Sequence, residues 1–421
     1  MCEWLTRQTL TRLHNSKIKQ SVKVLQLCNK PPYPPVDGGT MAMNGITQGL
    51  LAAGCEVRVL TVETDKHPVQ WDQVPDDYRR ATGLESVYID LSVRALPAAA
   101  SMLCGESYHV KRYVSRPFAE RLTAILQQEQ FDVVHVESIF LTPYVPLIRK
   151  YSQAKVILRA QNVEHLIWKH VSQSTRSYFK RWYLKHLSLT LRAYELEHLN
   201  DYDGIVCITQ GDADYFKSNG CRRPVISIPF GVEMQKTAGS LVVPEENSIY
   251  HLGAMDWMPN QESIHWLLEH VWPVVHHEVP QARLYLAGRK MPDQLMQTHI
   301  DGVTVVGEVD DARRFIASKQ INVVPLLSGS GIRVKIIEAM SAGKAVVTTT
   351  VGARGIDYTD GENLLIANTP TEFARQIKRL LDDPDYCRRV GEAAVRLVEE
   401  QYDVHRLNDR LLQFYKERID Q

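Results

Sequence analysis

The chain has little that would tie it to a metal, a membrane interior or a nucleic acid. Its seven cysteines, at positions 2, 28, 55, 104, 207, 221 and 387, are odd in number and include no Cys-x-x-Cys pair. That argues against a disulfide framework and a zinc site, and points to a reducing, cytoplasmic compartment where buried thiols act as small hydrophobes. No run of about 18 apolar residues occurs, so no membrane-crossing helix is expected. Residues 1–20 carry Arg7, Arg12, Lys17 and Lys19 but no long apolar stretch, so they read as an N-terminal extension and not as a secretory signal. Formal net charge is zero, from 49 basic and 49 acidic side chains, which argues against a nucleic-acid partner. There is no internal repeat and no Gly-x-Gly-x-x-Gly dinucleotide fingerprint.

What is present is an ordinary globular composition, 44% hydrophobic and 23% charged, over 421 residues. That length is too great for one core and predicts two or three domains. Short β-branched runs alternate with helical patterns, the signature of an α/β protein. In the first half the strand candidates are Val22–Leu27, Glu56–Val62, Asp132–Val136, Lys155–Ala160, Gly204–Ile208 and Val225–Ile228. In the second they are Ser248–Leu252, Arg283–Ala287, Val303–Val306, Ile321–Pro325, Ala345–Thr348 and Asn363–Ile366. Two sets of strands predict two doubly wound parallel sheets, residues 21–235 and 248–400, joined by a polar linker at 236–247. A last helix is expected within 401–421.

Two loops offer chemistry. In the first βα unit, a proline-rich segment ends in Gly38-Gly39 and opens a helix. The missing Cβ atoms would let backbone pass close to a ligand, and the free N–H groups of the helix start would attract an anion. In the second half, a strand ending at Pro325 runs into Gly329-Ser330-Gly331-Ile332 and then a helix from about Arg333 to Ser341, with Gly343 behind it. Glycine amides at a helix N-terminus form an anion site, and Arg333 and Lys335 add full positive charge. Glu338, one to two turns further in, suits the hydroxyls of a ribose. Such a loop lies at the carboxyl edge of the strands, where open α/β sheets take ligands.

The segment from Ser330 to Glu338, continued by Ala339-Met340-Ser341-Ala342-Gly343-Lys344-Ala345-Val346-Val347, resembles the donor loop of retaining family 4 glycosyltransferases. Three further stretches fit that family in order: Arg159–His165, Ser227–Glu233 and His251–Asn260. The resemblance runs from about Val22 to the C-terminus. It implies the GT-B fold: two Rossmann-like doubly wound parallel-sheet domains facing a cleft, with the C-terminal helix crossing back to the N-terminal domain. It implies transfer, with retention, of a hexose-type sugar from a nucleotide-diphosphate donor held by the C-terminal domain, without a metal or other cofactor. The acceptor, a glycan or a lipid-linked one, would bind the N-terminal domain, and the product would belong to cell-surface polysaccharide. Two other uses of the fold stay open, a sugar-nucleotide epimerase and a catalytically silent binding protein.

By the same carry-over Glu338 contacts the donor ribose, and Gly253, Arg289 and Glu308 line the nucleotide pocket. There are three departures from the family pattern. Ser330 stands where a glutamate positions the donor sugar. Met255-Asp256 and Asn260 stand where many members have an arginine and a lysine for the diphosphate. Gln161 stands where a histidine approaches the sugar, and it can donate a hydrogen bond but cannot carry a proton. Arg333 and Lys335, the cations within the two donor loops, are expected to take over the diphosphate charge. Lys180 to His186, continuing to Arg192, mixes basic and aromatic residues on a predicted helix. Either it packs Leu184, Leu187 and Leu191 inward as a solvated helix, or it also gives the protein a peripheral contact at the inner membrane face. Tyr108 to Tyr113 reads as a surface turn or an acceptor-cleft lining.

Overall fold

The computed structural model describes residues 21–92, 101, 105–234, 242–329 and 331–421. The expected extension at 1–20, the first half of the expected linker and Ser330 lie outside the described residues. The chain divides into two compact units. One comprises residues 1–206, 219–225 and 411–421, the other residues 207–218 and 226–410.

The first unit is built on a seven-stranded sheet: β1 (Lys23–Cys28), β2 (Glu56–Glu63), β3 (Glu85–Tyr88), β4 (Val133–Val136), β5 (Lys155–Ala160), β6 (Gly204–Cys207) and β7 (Val225–Ser227). Their spatial order is 3-2-1-4-5-6-7. The second unit holds a six-stranded sheet: β8 (Ser248–Leu252), β9 (Arg283–Ala287), β10 (Val303–Gly307), β11 (Ile321–Val324), β12 (Ala345–Thr348) and β13 (Leu365–Ile366). Its order is 10-9-8-11-12-13, and every neighbouring pair is parallel. Each sheet therefore reverses its winding direction once, between β1 and β4 in the first and between β8 and β11 in the second.

The longer helices are α1 (Gly38–Ala52), α2 (Arg116–Gln128), α3 (Glu164–Ser174), α4 (Tyr178–Glu197), α5 (Gln210–Ser218), α6 (Met258–Trp266), α7 (Val334–Ser341), α8 (Pro370–Asp382), α9 (Pro384–Gln401) and α10 (Val404–Ile419). In the second unit they cover both faces of the sheet, and the two-residue period of the strands divides the core accordingly. Ile321, Val323, Ala345 and Val347 join a cluster with Trp272, Phe373 and Ile377. The intervening Val324 and Val346 join another with Ile336, Ile337, Met340 and Leu397.

The last eleven residues of the chain, 411–421, belong to the first unit. There Tyr415 is fully buried and its hydroxyl meets Nδ1 of His135 at 2.6 Å. Phe414 packs so closely on Gly204 that a Cβ there would lie 2.6 Å from its ring.

One strand was not expected. Glu85–Tyr88 is a short, half-exposed edge strand without a β-branched run, and its place is fixed by Arg58 and Arg121, which both bind the Glu85 carboxylate. Tyr108, His109 and Val110 do not form a surface turn: all three are buried, and Tyr108 packs with Leu184 and Leu187 of α4.

Candidate functional site

In the second unit, the loops that follow β8 and β11 leave the sheet side by side at its point of reversal, where doubly wound sheets bind ligands. The loop after β8 holds Gly253 and leads into α6, whose first turn carries Asn260; the loop after β11 holds Gly329, Gly331 and Ile332 and leads through Arg333 into α7. The two are tied by one ammonium group. Lys335 Nζ lies 2.8 Å from Asn260 Oδ1 and 3.2 Å from His251 Nε2. The Asn260 amide is oriented by its other end, which donates to the Ala254 carbonyl at 2.7 Å. The buried His251 ring has its Nδ1 2.9 Å from the Val323 carbonyl. That contact requires the proton on Nδ1 and leaves Nε2 as an acceptor for Lys335. Burial and the Lys335 charge hold His251 well below the usual histidine range, so the ring is neutral.

Burial, reinforced by the charge of Arg333, pushes Lys335 down to about 7. Arg333 caps α7, is buried, and stacks its guanidinium 5.1 Å from the centre of the Trp257 ring. Burial, with Arg354 nearby, lowers it to about 10. Two cations are thus held in a poorly solvated place that disfavours their charge, as an anion site requires before its ligand arrives.

Glycines make room around these groups. A Cβ on Gly253 would sit 2.9 Å from Asn260 Nδ2, 3.0 Å from Lys335 Nζ and 3.1 Å from His251 Nε2. Gly288, at φ +151°, crosses so close to the Gly253 carbonyl that a Cβ would be 1.8 Å from its oxygen. Gly329, at φ +119°, lies over Arg333 and Trp257, with room for a Cβ only 2.7 Å from an Arg333 nitrogen. Gly331 also takes a left-handed conformation, at φ +82°.

Glu338 follows Lys335 by three positions and so lies on the same face of α7. It is half-buried, and burial raises its carboxyl above the ordinary range despite the opposing charge of Arg313. Arg289 and Glu308 are exposed at the ends of β9 and β10. Backbone hydrogen bonds join these ends to the same edge, from Met255 N to Arg289 O at 2.9 Å and from Gly288 N to Gly307 O at 2.8 Å. Ile332 is half-buried and packs on the cluster beneath the loop.

The other predicted residues lie in the first unit. Gly38 and Gly39 begin α1, and the chain supplies an anion of its own at that helix start. Asp37 caps the helix through Thr40 N at 2.9 Å and pairs with Lys30 at 2.7 Å. A Cβ on Gly39 would meet Lys30 Nζ at 2.9 Å. Gln161 donates from Nε2 to the Glu137 carbonyl at 3.0 Å. Glu137 is wholly buried beside Arg159 at 3.1 Å and His135 at 3.2 Å, and Gln26 donates to it at 2.7 Å. Burial opposes its ionisation, but the charges of Arg159 and His135 outweigh it and hold the carboxyl at about 2. A cavity of 680 Å³ in this unit is lined by Arg149, Tyr194, His198, Asp203 and Arg223 among others. It lies by the residues that precede β5 and β6, away from the carboxyl edge. Its charged groups are committed to one another and to backbone: Arg149 to Asp203 at 2.7 Å, His198 to Asp201 at 2.6 Å, Arg223 to the Asn200 carbonyl at 2.9 Å.

His251 and Trp257 were missed by the sequence reading. The signal for His251 was a lone polar residue near the end of an otherwise apolar strand. Trp257 carried none beyond its place in the loop. Met255 is core, and Asp256 pairs with Lys290 at 3.3 Å.

Known proteins match both halves. The family model for Glycosyltransferase Family 4 matches residues 36–236 and that for Glycosyl transferases group 1 matches residues 246–383. The chain belongs to the group 1, family 4 glycosyltransferases. Among curated relatives, an uncharacterized 44.6 kDa protein in the cps region of Klebsiella pneumoniae is 24% identical over 295 residues, covering 67% of this chain and 74% of that protein. Among solved structures, sucrose-phosphate synthase from Thermosynechococcus elongatus superposes with a TM-score of 0.66 at 16% identity, over 94% of this chain and 98% of that one. Anabaena HepE in complex with UDP and glucose gives 0.62 at 14% identity, over 94% and 100%. This glycosyltransferase therefore has the GT-B fold. Among its described residues no group of three or more His, Cys, Asp or Glu converges as a metal site would require, and no helix is long and apolar enough to cross a membrane.

Proposed function

We propose that this glycosyltransferase moves a hexose-type sugar, with retention, from a nucleoside diphosphate sugar to a glycan or lipid-linked acceptor in polysaccharide assembly. The observation that carries the proposal is Lys335, half-buried and held between Asn260 and a neutral His251 at the reversal of the second sheet. An ammonium lowered to about 7 gains its full charge when a diphosphate approaches. It then stabilises the leaving group as the anomeric C–O bond breaks and the sugar gains oxocarbenium character. Arg333 adds a second charge, and the amides about Gly329 and Gly331 supply neutral donors. Glu338 accepts from the ribose, while Arg289 and Glu308 flank the base.

The acceptor hydroxyl attacks the anomeric carbon, and its proton passes to the departing diphosphate. No metal takes part in this scheme, because two cations stand in for its charge. Gln161 contributes a neutral hydrogen-bond donor, and Ser330 offers a hydroxyl or an amide where the family has a carboxylate. Support for a UDP-sugar donor comes from HepE, described with UDP and glucose. Support for polysaccharide assembly comes from the cps-region relative. A lipid-linked acceptor would bring the protein to the cytoplasmic face of a membrane, as a peripheral contact.

The test is a thermal-shift screen against UDP-, GDP- and ADP-sugars. A donor at a hundredfold excess over its dissociation constant stabilises the native state by about 2.7 kcal/mol. The same donor should be hydrolysed slowly without acceptor, and Arg333→Ala and Lys335→Ala should each lose the shift. Unchanged donor affinity in both variants would remove the proposal.

A further inference from the structure

We infer that the hairpin of α3 and α4 is a docking surface for an anionic lipid bilayer, which names the surface of the peripheral contact proposed above. The first observation is one of charge. Residues 165–194 contain no aspartate or glutamate, in a chain where acids and bases balance at 49 each. They contain Lys169, Arg176, Lys180, Arg181, Lys185 and Arg192, all exposed, and among the described residues none of the six forms an ion pair.

The second observation is independent of charge. The inner face of α4 is accounted for by Leu184, Leu187 and Leu191, which are buried. The opposite face is not polar. Tyr178, Trp182 and Leu189 follow one another along it at helical spacing, 71%, 56% and 55% exposed, and Phe179 beside Tyr178 is 82% exposed. Arg181, Lys185 and Arg192 fall at the same spacing along the flank of this stripe. A soluble helix that has already buried one apolar face has no use for a second in water. An apolar stripe edged by lysine and arginine suits a helix lying in the headgroup plane. Its rings enter the acyl boundary while the cations reach phosphate. An acidic glycan would satisfy the cations but would leave the Phe179 ring, which has no polar atom, without a partner.

The experiment is sedimentation of the full-length protein with vesicles of phosphatidylcholine alone or mixed equally with phosphatidylglycerol. The inference expects binding to the mixed vesicles and not to phosphatidylcholine, weakened by raised salt. Lys180→Glu/Arg181→Glu/Lys185→Glu and Phe179→Ser/Trp182→Ser should each reduce binding about tenfold or more. Their unfolding midpoint should stay at the wild-type value, because the substituted residues are exposed. Equal binding to both vesicle types, wild-type binding by either variant, or no binding by the folded protein would overturn it. So would retention on an acidic glycan without vesicle binding. Donor turnover in detergent-free buffer separates this from the transferase proposal: vesicle binding without turnover would leave the surface and remove the donor chemistry, and the converse would do the reverse.

Discussion

Asn260 Oδ1 and Lys335 Nζ, 75 positions apart, are 2.8 Å from each other, and this bond helps to join the two segments on which the proposed donor site depends. Lys335→Ala should lower turnover by about 10²–10³, the cost of removing a donor aimed at developing charge. Asn260→Ala leaves the ammonium in place but unanchored, so its loss should be smaller and fall mainly on the Michaelis constant for donor. Steady-state kinetics with the donor found by thermal shift will separate the two.

The low pKa of Lys335 sets a pH dependence. The free site holds its proton only below about 7, whereas the bound diphosphate, ionised throughout the neutral range, requires it. Donor affinity should be level below pH 7 and decline above it, by at most tenfold per unit. Titration calorimetry at pH 6.5, 7.5 and 8.5 should show this slope in the wild type and a flat profile in Lys335→Met. The stability effect has the opposite sense. The unfolded chain binds more protons than the folded one between about 7 and the ordinary lysine value, so Lys335 makes the protein more stable as pH rises through that window.

Glu338→Gln should separate stability from function. Burial raises this carboxyl, so its ionised form is a burden on the folded state at neutral pH. The contribution of the protonated form is present in full below the unfolded value and is lost as pH rises through the folded one. Removing the charge should raise the unfolding midpoint at pH 7 slightly while weakening donor binding, and the preference for a ribonucleotide over its dideoxy counterpart should shrink. Tighter donor binding in this variant would contradict a ribose contact.

Gly288→Ala tests the glycine crossing. A Cβ 1.8 Å from the Gly253 carbonyl oxygen cannot be absorbed by a side-chain rotation, since the obstacle is backbone. The variant should lose about 3 kcal/mol or more of stability, measured by denaturant unfolding, and donor binding with it.

Much of this site was legible before the structure. The Gly-Ser-Gly loop, Arg333, Lys335 and Glu338 are close in sequence, and their spacing alone puts them at the start of a helix. The strands were legible for the same local reason, β-branched runs bounded by turns. His251 was not, because a lone histidine in a strand reads as core until its neighbour across the sheet is known, and the Val323 carbonyl that fixes its tautomer is 72 positions away. At Gly38-Gly39 the sequence reading did not weigh a competing local effect. A free helix start attracts an anion, but Asp37, one position earlier, already serves as that anion. The edge strand Glu85–Tyr88 was hidden because it depends on the arginines that bind Glu85 from β2 and α2.

The first unit offers a stability test of its own. Glu137→Ala strands Arg159 as a buried charge, and the expected cost is about 3–5 kcal/mol. In the wild type the contribution of Glu137 is present above the unfolded carboxyl value and is lost as pH falls toward about 2. Acid unfolding followed by circular dichroism should show a midpoint shift in Glu137→Ala.

Tyr415 stands six residues before the end of the chain and bonds His135 in the first sheet. The core of the first unit therefore closes only after residues 226–410 of the second have been made. A chain cut short before α10 leaves that core open beside Gly204 and His135, and should be captured by chaperones or degraded, however well its second sheet has formed.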